Sequence, residues 1–302
     1  MKRSRPDILA LRSAALSAIR RFFSRNGFLE VETPVLIPTP ALELHIDAQP
    51  AGRGFLRTSP ELHMKRLLAE GLPRIYQVGA CFRTGERGRL HNPEFTMLEW
   101  YRAGADYLGI LADMQRLIPY VCGEVLGSAR ISYRGQSIDT GAAWETWHVS
   151  DAFRRFAGWD PLAAYDADRF DLDTVDKIEP NLPKDRPVVL MDYPPQAAAL
   201  SRCHDGPPPH AERWELYIGG LELANAFTEL TDAAEQRRRF EECAEERRHM
   251  GKPDYALDEE FLAALDRGLP PCGGVALGVD RLVMLLADAS DIEEVRAFCA
   301  AQ

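Results

Sequence analysis

The strongest constraint on the fold is the dipeptide Gly219-Gly220, which stands between two apolar runs at residues 214–218 and 221–227. Glycine accepts the positive φ that a two-residue hairpin turn demands, so the flanking runs read as an antiparallel pair. Further extended stretches are expected at 28–33, 74–78, 81–83 and 94–102. Between them lie helical patterns. Leu9, Leu16, Ile19, Phe22 and Phe23 recur at helical spacing up to Asn26-Gly27, which predicts a helix over about 8–26. Pro60 opens a second helix carrying Leu62, Met64, Leu67 and Leu68 and closing at Gly71, and a third covers about 106–126. Two helices follow the hairpin, and a glycine-rich strand end at 273–278 leads into a buried helix at 279–287. Residues 128–209, ending in Pro207-Pro208-Pro209, read as a less regular insertion. The whole predicts a single α+β domain over 1–302, a mainly antiparallel sheet flanked by helices.

At 302 residues, 46% hydrophobic and 27% charged, the chain has the composition of a globular protein with a substantial core. No run approaches the roughly 20 apolar residues that cross a bilayer. Arg12, Arg20 and Arg21 interrupt the stretch in which a signal peptide would need its apolar centre. A cytoplasmic location is the expectation. Six cysteines without any C-x-x-C pairing read as reduced thiols, and Cys203, His204 and His210 lack a fourth ligand at a metal-site spacing. The net charge of −10 argues against a large nucleic-acid footprint. The basic run Arg237-Arg238-Arg239 lies among Glu235, Glu241 and Glu242, as in a solvated helix of mixed charge.

Chemistry concentrates in a few segments. One joins Cys81-Phe82-Arg83-Thr84-Gly85-Glu86 to Arg89 and to the string from His91 through Asn92, Glu94, Phe95 and Glu99 to Tyr101. An arginine at a strand end facing a loop of Arg and Glu suits a triphosphate, because guanidinium binds phosphate oxygens bidentately and a carboxylate can read an adenine amino group. A second segment, 220–230, carries Glu222 and Glu229. Two carboxylates beside phosphates suit Mg²⁺, yet residues seven apart on a regular strand face opposite sides. They converge only where the strand ends or bulges, and residues 225–228 are the expected place. A third, 274–282, sets glycines before Asp280-Arg281. Glycine lets a backbone approach a base closely, and an arginine at a helix start can stack on a purine and meet a γ-phosphate. Each has a plain structural reading as well: an acidic hairpin, or a glycine turn followed by a surface ion pair. Glu61, in the first turn of its helix, could equally be a capping carboxylate.

Together with Gly27-Phe28-Leu29-Glu30-Val31-Glu32-Thr33-Pro34, these segments resemble motifs 1, 2 and 3 of class II aminoacyl-tRNA synthetases, and most closely the lysyl branch. The resemblance implies the class II synthetase catalytic core, with ATP and Mg²⁺ as cofactors and a homodimer formed through motif 1. It assigns the catalytic positions to Arg83 and Arg281, and the ATP site to these two with Thr84, Gly85, Glu86 and Asn92 from motif 2. Glu222, Leu223 and Gly278 complete that site, Glu222 and Glu229 being the metal ligands. Ser59, Glu61, Tyr101, Asn225, Glu229 and Ala276 would surround the amino acid. Thr84-Gly85 departs from the Asn-Glu usual in lysyl enzymes, so Glu86 or a backbone group takes over the adenine contact.

Only about 25 residues precede the motif 1 strand, too few for the β-barrel that binds the anticodon in lysyl enzymes. Ser59 and Ala276 also stand where those enzymes usually have Ala and Gly. Both features direct the resemblance to the elongation factor P β-lysine ligases. It implies activation of (R)-β-lysine or lysine as an adenylate and transfer to a lysine of elongation factor P, with tRNA used little or not at all. The rival readings are a minimal synthetase charging tRNA or a carrier, and a non-catalytic regulatory paralogue.

Overall fold

The computed structural model describes residues 3–299. Helix α1 (Arg5–Arg25) begins at a capping box in which Ser4 and Asp7 exchange hydrogen bonds, and buries Leu11, Ile19, Phe22 and Phe23. After β1 (Leu29–Glu30), a small antiparallel sheet forms from β2 (Leu36–Ile37), β3 (Gln49–Ala51) and β4 (Gly54–Leu56). Helix α2 (Glu61–Ala69) follows. The extended runs expected at 74–78 and 81–83 are one strand, β5 (Arg74–Phe82), paired antiparallel with β6 (Glu94–Ala103). Helix α3 (Tyr107–Leu126) is capped by Asp106 and ends at Gly127 in the left-handed conformation.

Residues 128–209 are more regular than the sequence suggests. They hold the hairpin β7 (Arg130–Tyr133) and β8 (Gln136–Asp139), then β9 (Glu145–His148), α4 (Val149–Phe156), α5 (Ala167–Asp173) and β10 (Val188–Tyr193). β9 and β10 extend the main sheet, and Val149, Phe153, Phe170, Ile178 and Leu190 form a core of their own. The run at 188–191 is buried throughout, so it lacks the alternation that marks a half-exposed strand.

The remaining elements are β11 (Cys203–His204), β12 (His210–Ile218), β13 (Leu221–Thr228), α6 (Ala233–His249), α7 (Glu259–Gly268), β14 (Cys272–Gly278) and α8 (Val279–Ala287). The main sheet runs β1-β5-β6-β14-β13-β12-β10-β9, with β11 beside β12. All its pairs are antiparallel except β1 with β5 and β9 with β10, so the fold is α+β as expected. Helices α1, α3 and α8 share a core with Leu98, Trp100, Ala226 and Leu277 of the sheet. Around α2, α6 and α7 a second core gathers Leu62, Phe240 and Phe261. Asp280 is buried rather than paired at the surface. It accepts from Arg12 at 2.6 Å and from the Thr96 amide at 2.7 Å, which ties α8 to α1 and β6. Among the described residues no helix is long and apolar enough to cross a membrane.

Candidate active site

Cross-strand pairing builds the site. Glu215, Asn225, Ala276 and Glu99 are successive partners across β12, β13, β14 and β6, and Arg213, Phe227, Gly274 and Tyr101 form the next row. Opposed residues share a face of a sheet, as do residues two apart along a strand, so both rows face the same side. That side is a cleft of about 1210 Å³.

A bulge decides which carboxylates reach it. Between the pairs Leu216–Ala224 and Tyr217–Glu222 the register shifts, leaving Leu223 without a partner of its own. The interruption therefore lies at Leu223, and β13 runs unbroken through 225–228, where the sequence reading sets it. One extra residue inverts the alternation. Glu222, Asn225, Phe227 and Glu229 all line the cleft, while Leu221, Leu223 and Ala226 enter the core.

At one end of the cleft three carboxylates gather around one lysine. Lys65 is wholly buried, with Nζ 2.6 Å from Glu61 and 2.5 Å from Glu229. Burial pulls its pKa down, but the two carboxylates outweigh that and hold it above its usual value. Glu99 accepts from the Tyr101 hydroxyl at 2.5 Å, and its Oε2 has no partner. Burial and the neighbouring Glu61 push the Glu99 carboxyl up to about 8. Burial raises Glu229 to about 7 against the pull of Lys65. The cluster carries more negative charge than Lys65 offsets, which a cationic ligand relieves. A Cβ at Gly274 would overlap Glu229 and Tyr101, so glycine is required where the strand passes them. The Ser59 hydroxyl accepts from the Glu61 amide at 3.0 Å and so steadies the start of α2.

The other end is basic. The Arg83 guanidinium lies over the Phe95 ring at 5.1 Å, is 3.7 Å from Glu86, and has a buried Nε with no partner. Arg281, in the first turn of α8, donates to the Glu222 carbonyl at 2.6 Å, to its carboxylate at 3.2 Å and to His91 Nε2 at 2.7 Å. Burial and Arg281 lower the His91 pKa, so a neutral imidazole accepts that bond. Arg213 is held between the Tyr193 ring at 4.4 Å and Glu215 at 2.6 Å.

The two glutamates expected to hold a metal have different neighbours. Glu229 is locked to Lys65 at the acidic end, whereas Glu222 sits with Arg281. Burial raises the Glu222 carboxyl, and the charge that raises it most is Glu215, on the same face. Among the described residues no group of three or more His, Cys, Asp or Glu is arranged to hold a metal. Asn92 lines the cleft and donates to the Glu94 carbonyl at 2.5 Å. Glu86, Tyr101, Ala276 and Gly278 line it too. Thr84 and Gly85 do not. The Thr84 amide donates to the Asp47 carbonyl at 2.7 Å, and Gly85 turns the chain at a φ of 80°. The Leu223 side chain is in the core, which leaves its backbone to meet a ligand.

Lys65, Glu215 and Arg213 escape the sequence reading of the site, and Glu99 was read only as part of the string from His91 to Tyr101. Lys65 follows Glu61 by one helical turn and falls on the stripe of Leu62 and Leu68, a usable signal. Glu215 shares a face with Glu222 by the register that the Gly-Gly turn imposes, and was legible for the same reason.

The profile of the family described as tRNA synthetases class II (D, K and N) matches residues 1–302. The chain belongs to this family. An elongation factor P (R)-β-lysine ligase of Edwardsiella ictaluri is 41% identical over 96% of this chain and 94% of its own length. The protein of that name from Hamiltonella defensa is 40% identical over the same shares. A lysine–tRNA ligase of Thermosynechococcus vestitus is 37% identical over 97% of this chain and 63% of its own length. In this chain the segment resembling motif 2 is β5, its loop and β6, and the one resembling motif 3 is β14 with the start of α8.

Proposed function

We propose that this protein is an ATP-dependent ligase that activates (R)-β-lysine, or lysine, as its aminoacyl-adenylate and transfers it to a lysine side chain of elongation factor P. The observation that carries this reading is the polarity of the cleft. Glu61, Glu99 and Glu229 outnumber Lys65 at one end, while Arg83 and Arg281 stand at the other. A lysine-like substrate has two ammonium groups and one carboxylate, so its amines favour the acidic end and its carboxylate points toward the arginines. Relatives named as ligases of elongation factor P support the choice of acceptor. The apolar Leu29, Val35 and Leu36, exposed beside the edge strand β1, favour a homodimer through that segment. We read the enzyme as cytoplasmic, as its acceptor is.

In this mechanism the substrate carboxylate attacks the α-phosphorus of ATP in line. Arg83 and Arg281 offset the charge that develops, and pyrophosphate leaves beside Arg281. The contribution of the protein is positioning and preorganised charge. Glu222 and Glu215 would hold Mg²⁺, a cation commonly bound by one or two carboxylates together with substrate phosphates. Such an ion neutralises phosphate charge. Glu222→Gln and Glu215→Gln are therefore expected to raise the Mg²⁺ concentration needed for half-maximal activity. Glu229→Gln should leave it unchanged and instead raise the KM for the amino acid by about 10–100-fold, the loss of one hydrogen bond to a charged group. The same Mg²⁺ titration in all three variants would defeat this division.

Ala276 stands between Asn225 and Glu99, in the row that runs into the acidic cluster. Its methyl group crowds a substrate whose amino group is on the α-carbon, and a β-amino group avoids it. The expected result is a higher kcat/KM for (R)-β-lysine than for α-lysine, a difference that Ala276→Gly narrows by about 1–3 kcal/mol. Equal kcat/KM values in the natural protein would remove the argument.

The acceptor is tested by incubating enzyme and ATP with labelled (R)-β-lysine or lysine, and with purified elongation factor P or tRNA. Label is expected on the protein and little on tRNA. Efficient charging of tRNA with none on elongation factor P would identify a minimal synthetase, and an enzyme without pyrophosphate exchange would be a regulatory paralogue.

A further inference from the structure

The segment between β2 and β3 presents a carboxylate that none of these roles employs. Glu43 lines the cleft, and among the described residues its side chain has no hydrogen-bond or ion-pair partner. Its backbone, by contrast, is firmly held. Arg247 of α6, with a side chain that is 0% exposed, donates to the carbonyls of Glu43 at 2.7 Å, Ile46 at 3.1 Å and Pro253 at 3.0 Å. It also donates to the Asp47 carboxylate at 2.8 Å and lies over the Tyr255 ring at 4.5 Å. A buried guanidinium that fixes main-chain carbonyls sets where the neighbouring side chain goes.

The charges that act on Glu43 come from both ends of the cleft. They are Arg83 and Glu86 from the end of β5 and its loop, Glu61 from α2, and Arg213 from β12. On the α6 side stands Cys243, itself influenced by Glu43, together with Arg247. Glu43 thus lines one cleft with Glu61 of the acidic end and Arg83 of the basic end, and the charges of both bear on it. In the ligase reading the acyl carbon of the adenylate lies between those ends, with its amines on one side and its phosphate on the other.

We infer that Glu43 is the general base of the transfer step, accepting the proton that the neutral lysine ε-amine loses as its nitrogen bonds to the acyl carbon of the adenylate. This rests on the ligase reading above. The amine lone pair forms the C–N bond to the acyl carbon, the C–O bond to phosphate breaks, and AMP leaves with that electron pair. The proton passes to Glu43 and then to water, so one amide, one AMP and one proton result. Activation needs no such base, because its nucleophile is already a carboxylate. Burial pushes the Glu43 carboxyl up to about 7, with Arg83 opposing, which suits a base that must both take and release a proton near neutral pH.

The test uses Glu43→Gln, which keeps the shape and removes the basicity. Pyrophosphate exchange with (R)-β-lysine should persist, which also reports an intact fold. Single-turnover transfer from enzyme-bound adenylate should fall by about 10²-fold or more. A deprotonated Glu43 is the active form, so transfer by the natural enzyme declines as pH falls through about 7, and this limb should vanish in the variant. Glu43→Asp should restore part of the rate. Elongation factor P and Nα-acetyllysine amide are used as parallel acceptors, and loss with both marks chemistry. Loss with elongation factor P alone would make Glu43 a docking contact and overturn the inference. It also fails if the Gln variant transfers at the natural rate, or if exchange falls in parallel with transfer. A natural enzyme that forms adenylate yet transfers to neither acceptor would refute the ligase reading and the inference together.

Discussion

Replacing Arg281 with alanine is expected to slow amino-acid-dependent pyrophosphate exchange by about 10²–10³-fold, the cost of losing one preorganised donor at a site of developing charge. The Arg281 side chain is 18% exposed and is aimed by its bonds to Glu222 and to the neutral His91, so little reorganisation accompanies its use. The fold should survive. Helix α8 is anchored independently by Asp280 with Arg12 and Thr96, and by the buried Leu282, Val283, Leu285 and Leu286. Arg83→Ala should behave alike, since its guanidinium is braced on Phe95 and keeps an unused buried donor. Exchange kinetics and thermal unfolding of both variants check the expectation. Near-normal exchange in both would take these arginines out of the ATP site.

The second large effect concerns stability. Lys65→Met leaves Glu61 and Glu229 without the cation between them, and breaking a buried ion pair in this way costs about 3–5 kcal/mol. The variant should unfold at a lower temperature, and its deficit should depend on pH. Burial already raises Glu229 to about 7 with Lys65 present, and removing that charge raises it further. A carboxyl whose folded pKa lies above its unfolded value contributes stability that is complete below the unfolded value and is lost as pH rises through the folded one. The variant is therefore expected to lose more stability relative to the natural protein at pH 8 than at pH 6. Denaturant unfolding at the two pH values measures this. A pH-independent difference, or none, would mean that Lys65 does not neutralise the cluster.

How much of this was legible in the chain varies with the range of the interaction. The Gly219-Gly220 turn, the helix end at Asn26-Gly27, the helix start at Pro60 and the glycine-rich approach to Arg281 depend on residues close in sequence, and the structure contains each of them. The charged residues of the three chemistry-bearing segments were readable by type and spacing, and Arg83, Glu222, Glu229 and Arg281 do line one cleft. The buried run of β10 was not legible, because a strand covered on both faces has no alternation to betray it.

Pairing between distant strands settled the rest. The extra residue at Leu223 exists only in relation to β12, and it alone turns Glu222 toward the face that carries Asn225 and Glu229. Glu222 and Glu229 look like a metal pair in sequence, yet Lys65 claims one and Glu215 approaches the other. Turn chemistry, helix capping and residue type act over a few neighbouring residues and are therefore written locally. Strand parity and the partner of a buried charge are properties of contacts between segments far apart in the chain, and they exist only once those segments have packed together.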